Sequence, residues 1–168
     1  MKRLLLPVFL SVLCVAHAAD TVRVPVKLLG PEEVIIAGKS CVFWELPYEI
    51  EFTWKYDKPL ELDTYLKGGV LKAGPYVDFL LRDKHGKNVD IMFFVSMPPF
   101  PTGHLQIKNG EHLKIGLYAW NGIAEVRIGE PYTVTAKVAV TMGQGAPVLL
   151  ISDERTVKFT HSKGTSKL

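Results

Sequence analysis

The chain is poor in three things that commonly announce a function: paired cysteines, an excess of charge of one sign, and helical periodicity. It has two cysteines, Cys14 and Cys41. Cys14 lies in the opening segment, so a chain processed beyond it keeps one thiol and no internal disulfide, which excludes a disulfide-stapled scaffold. Cys41 has no His, Lys or Arg directly beside it, and Lys39 is the only base within two positions. A thiolate nucleophile needs such a neighbour to lower its pKa, so Cys41 is read as a buried core thiol in a monomer. Basic and acidic residues nearly balance, at 20 against 17. Without Lys2 and Arg3 the net charge is about +1, which gives no ground for a nucleic-acid or acidic-membrane partner. No stretch carries a convincing 3.6-residue apolar period. Beyond the N-terminus no run is long and apolar enough to span a membrane as a helix.

What is present begins with Met1-Lys2-Arg3, the apolar run Leu4 to Val15, and Ala16-His17-Ala18. That order of charged, apolar and small residues is a secretory signal peptide, and the expected division is signal peptide 1–18, one domain 19–160 and a basic tail 161–168. The apolar run is shorter than the ~20 residues of a membrane helix. Val12 and Leu13 before Cys14 do not suit lipid attachment. The final Ser-Lys-Leu matches a peroxisomal address, but export would act first. The expected location is periplasmic or secreted.

The domain reads as strands. Tyr48, Ile50, Phe52, Trp54 and Tyr56 alternate with Glu49, Glu51, Thr53, Lys55 and Asp57, which is the period of a half-buried strand. Val22, Val24, Val26 and Leu28 repeat the pattern, and Pro25, which cannot donate to a ladder, places that strand at an edge. Loop lengths are chosen so that apolar sides coincide. A Lys84-His85-Gly86 loop pairs Leu81 with Val89, Phe79 with Ile91 and Val77 with Phe93, with Asp83 facing Lys87. A Lys108-Asn109-Gly110 loop pairs Leu105 with Leu113. A two-residue Asn121-Gly122 loop pairs Ala119 with Ala124, Leu117 with Val126 and Ile115 with Ile128. Pro131 to Met142 is a long strand with Tyr132, Val134, Ala136, Val138 and Val140 on one face. Two shorter strands follow at 147–151 and 155–159. The expected fold is all-β, a predominantly antiparallel β-sandwich of immunoglobulin-like style, with a closed antiparallel β-barrel as the alternative.

Residues that could carry chemistry are scattered. Ser40, Ser96 and Ser152 lack a Gly-x-Ser-x-Gly frame. Gly143-Gln144-Gly145 precedes no helix that could bind phosphate. His85, His104, His112 and His161 lack the tight spacing of metal ligands. Glu49 and Glu51 share a strand face about 7 Å apart, a separation open to a glycosidase pair, yet exposed strands are commonly acidic. No catalytic residue, metal or cofactor is assigned. The Asn121-Gly122 register turns Tyr118, Trp120 and Ile123 outward as an aromatic patch, and Trp44 is a second candidate. Such side chains anchor protein interfaces and also stack on sugars. The reading is therefore an exported, non-enzymatic binding module, an inhibitor, immunity-like or accessory protein. It would engage another exported protein, or a glycan, through a strand edge or this patch. One alternative looks like a fimbrial pilin that donates Val22 to Leu28 to a neighbour's sheet. The other is a small periplasmic hydrolase using the carboxylates or Cys41.

Overall fold

The computed structural model describes residues 21–74, 76–92, 100–119, 122–143 and 145–161. Among them the chain forms no α-helix and runs through β1 (Val22–Leu29), β2 (Glu33–Ile36), β3 (Ser40–Val42), a single 3-10 turn (Phe43–Glu45), β4 (Glu49–Thr53), β5 (Leu60–Lys67), β6 (Val70–Ala73) and β7 (Val77–Arg82). It continues through β8 (Ile91–Met92), β9 (Gly103–Ile107), β10 (His112–Leu117), β11 (Ile123–Glu125), β12 (Pro131–Met142), β13 (Ala146–Ser152) and β14 (Arg155–His161). The period-two segments fold as read: Val24, Val26 and Leu28 in β1, Tyr48 to Trp54 around β4, and Tyr132 to Val140 in β12 all turn their apolar side inward.

The architecture is a closed barrel, not the expected sandwich. Seven strands join in the order β12-β13-β1-β4-β10-β6-β5, and the ring closes where Glu61 and Leu60 of β5 pair with Thr141 and Met142 of β12. β12 explains the closure. It has twelve residues, and its halves serve different neighbours: 131–134 pair with β14, 133–138 with β7 and 137–142 with β13. Strands twist along their length, so one this long carries its two ends into different directions and lets a sheet curl back on itself. A separate three-stranded sheet, β3-β11-β8, lies beside the barrel.

Pro25 does not place β1 at an edge. Val22–Val26 pair in parallel with Val148–Ser152 of β13, whereas Lys27–Leu29 pair with Glu49–Glu51 of β4. The β4 ladder starts only after the proline, so Pro25 sits where one flank of an otherwise interior strand is unpaired, and its missing N–H costs no ladder bond.

Two of the expected turns form, at 83–87 and 108–111, but none of the three expected hairpins continues as read. At 83–87 the register holds: Val89 N–H donates to Leu81 O and Asp83 N–H to Lys87 O, both at 2.9 Å, and Gly86 has φ 76°. Past Val89 the chain leaves. β7 is taken by β12, and Ile91 pairs with Ala124, not Phe79; Phe93 lies outside the described residues. At 108–111 the turn closes through Glu111 N–H to Lys108 O, but its backbone docks on Trp54, which accepts from Gly110 N–H and donates to Glu111 O. β9 therefore pairs with β5 and sets Leu105 against Leu62, while β10 pairs with β4 and sets Leu113 against Phe52. The Asn121-Gly122 hairpin is absent, because β10 stays in the barrel and β11 joins β3 and β8. Ile115, Leu117, Ala119, Ala124 and Val126 nonetheless all reach the core, so facing was read correctly and partners were not. Ile128 is exposed.

Candidate functional site

Tyr118 follows the end of β10 and is half-buried. Its ring lies 6.1 Å from that of Tyr65, and Lys67 Nζ stands 4.8 Å from its centroid, a cation over an aromatic face. Ile123 is half-buried in β11, opposite Val42 and Met92. The two residues sit on different sheets and share no hairpin face. Trp44 occupies the 3-10 turn after β3, and Trp120 lies outside the described residues. The turn is pinned to the crossover before β11: Phe43 N–H donates to Gly122 O at 2.9 Å, and a Cβ on Gly122 would stand 2.2 Å from the Phe43 ring. This close approach is one that only glycine allows; Asn121, the other residue of the expected tight turn, lies outside the described residues.

The remaining chemical candidates are tied into local structure. Glu49 pairs with Lys114 at 3.0 Å, and Glu51 with Lys27 at 3.7 Å and His112 at 3.4 Å. His104 Nδ1 lies 2.6 Å from Asp63 across the β5–β9 ladder. Ser152 Oγ accepts from Ala136 N–H and donates to Asp153 O, both at 2.8 Å. Among the described residues no group of three or more His, Cys, Asp or Glu is placed to hold a metal. A polar cleft of about 730 Å³ lies between the 83–90 loop and β11, but its walls carry mutual ion pairs, Lys84 and Arg127 both on Glu130.

Cys41 is fully buried, opposite Ala124, and burial pushes its thiol up to about 12. Folded protein is expected to react with a thiol reagent such as DTNB far more slowly than protein unfolded in urea, since the thiolate is the reactive form. Equal rates would show that Cys41 is accessible.

The feature that pattern reading did not localise is the edge at β2. β2 is the terminal strand of the large sheet, paired in parallel with β14 on one side, and no ladder among the described residues covers its other side. Lys158 N–H donates to Glu32 O at 2.8 Å; in a parallel ladder bonding alternates along a strand, so Glu33 and Ile35 turn their N–H and C=O to the open side. Ile35 is 67% exposed. Beside it lies an apolar cleft of about 590 Å³, walled by Val34, Ile36, Val42 and Leu46, with Glu45 at its rim. The strand is too short to stand out as a period-two run, and nothing local says which of its sides stays unpaired. Comparison with protein families, curated proteins and solved structures finds no match.

Proposed function

We propose that the protein is an exported, non-enzymatic binding module that takes an extended segment of another exported protein along β2. The observation that carries this reading is the open β2 edge next to an apolar cleft. Main-chain groups of Glu33 and Ile35 would bind the segment's backbone, and the cleft would receive alternate side chains, as in strand addition. The signal-like N-terminus supports export. β1, the segment a pilin-like subunit would donate, is engaged on both flanks within its own barrel, which favours the binding module.

The test is Ile35→Pro. Proline removes an outward N–H and spares the β2–β14 ladder, a substitution edge strands tolerate. The variant is expected to keep its melting temperature and to lose capture of the native partner from an exported-protein fraction by roughly tenfold or more. Unchanged capture by a folded variant would move the interface away from β2.

A further inference from the structure

The β5–β6 hairpin ends in a Gly68-Gly69 turn with both φ values positive, 59° and 79°, the two-residue geometry that only glycine or asparagine-like residues adopt readily. Leu66 pairs with Leu71 and Lys67 with Val70. Leu66, Val70 and Leu71 are 60%, 58% and 41% exposed. Because Leu66 and Leu71 lie on one face and Val70 on the other, both faces of the tip are open, and the hairpin projects past the barrel wall. Residues 64–77 contain two lysines and no acid.

The base of the hairpin is aromatic and cationic. Tyr65 is buried against Tyr118, whose face carries Lys67, and Tyr76 is exposed nearby. The stem of Lys72 lies over Gly116, its Cγ 3.5 Å from where a Cβ there would stand. Lys72 has no ion pair among the described residues. Burial lowers the Lys67 pKa and the neighbouring Lys72 lowers it further, against an opposing influence of Glu45. In the ladder Lys72 stands opposite Tyr65 and Lys67 opposite Val70, so the two lysines lie diagonally on one face of the hairpin beside the apolar tip.

We propose that this hairpin docks the protein on an anionic lipid surface, with Leu66, Val70 and Leu71 entering the acyl boundary and Lys67 and Lys72 meeting the headgroups. Lys67 starts at the outermost pair beside Val70 but its ammonium folds back onto Tyr118, and Lys72 and the tyrosines stand further back, which matches the depth profile of a membrane interface, where long basic side chains reach back to the headgroups and tyrosine sits at the boundary. Basic residues near an anionic leaflet each add favourable attraction. A second copy of the chain fits less well. Two such tips in contact would bring four ammonium groups together, and three apolar side chains fall short of the ~800 Å² per partner of a stable interface.

The test is flotation of the mature protein with vesicles of phosphatidylcholine alone and of phosphatidylcholine mixed with phosphatidylglycerol. Binding is expected only to the anionic vesicles, and it should weaken as salt screens the lysines. The double variant Lys67→Gln/Lys72→Gln should lose about tenfold or more of that binding. Leu66→Asn/Leu71→Asn should lose it at any salt, and both variants should keep the wild-type circular dichroism and melting temperature. Absence of flotation with anionic vesicles, equal flotation with phosphatidylcholine alone, or wild-type binding by either folded double variant would overturn the proposal. Capture of an acidic protein in place of vesicles would also overturn it. Ile35→Pro should float like the wild type, so failure here leaves the strand-edge reading standing.

Discussion

Replacing Trp54 with alanine is expected to remove about 3–5 kcal/mol of stability, a large part of the 5–15 kcal/mol typical of a domain. Trp54 has no exposed surface. Its indole Nε1–H donates to Lys58 O at 2.8 Å, and its ring lies 4.7 Å from that of Tyr56. Its backbone holds the 108–111 turn through Gly110 and Glu111. One residue therefore joins the end of β4, the connection to β5 and the turn into β10. Alanine leaves a cavity among all three and strips the Lys58 carbonyl of its donor. Trp54→Phe keeps most of the ring and loses the hydrogen bond, so about 1–2 kcal/mol is expected. Urea denaturation of both variants separates the two contributions. A loss under about 1 kcal/mol for the alanine variant would mean that this corner is not a structural junction.

The second large effect is alkaline. Burial pushes Cys41 from 9.0 to about 12 and Tyr48 from 10.0 to about 12; on Tyr48 the nearby Arg155 acts against the rise and Cys41 adds to it. The folded state holds both protons more tightly than the unfolded chain does. Stability from these groups is therefore complete below about pH 9 and is lost progressively as pH climbs toward about 12. At about 1.4 kcal/mol per pH unit, the Cys41 displacement corresponds to on the order of 4 kcal/mol at the alkaline end of that window. Urea midpoints should be flat up to about pH 9 and fall steeply above it, and Cys41→Ala should soften the fall. An alkaline loss that is identical in Cys41→Ala would assign the effect to other groups.

The sequence revealed facing far better than partnership. Period two is a local property, so the buried sides of Tyr48 to Trp54 and Tyr132 to Val140 could be read directly. Ile115, Leu117, Ala119, Ala124 and Val126 were also placed inside, although the hairpin invoked to pair them does not form. Partners are decided at a distance. Gly122 presses on Phe43, Trp54 captures the 108–111 turn, and β12 distributes its length among β14, β7, β13 and β5. None of these contacts leaves a periodic trace. Pro25 misled because a proline reports only that one flank lacks a donor, and β1 satisfies that condition in the interior through a staggered start of its second ladder. The same limit applies to the candidate site. The strand at 33–36 is too short to stand out as a period-two run and is not among the strands read from the sequence, and its open side depends on β14, which lies more than a hundred residues further along the chain.

The parallel pairing of β1 with β13 also has a kinetic meaning. The barrel wall contains a seam between Val22–Val26 and Val148–Ser152, nearly the two ends of the folded chain. Contacts so distant in sequence form slowly, because loop-closure entropy is lost before they return any stabilisation. Until residues 146–152 have been synthesised, β1 lacks its longer ladder and the ring cannot close. A nascent chain wired this way closes its barrel only after nearly all of its strands have emerged, so the folded ring is a late, all-or-none event in its synthesis.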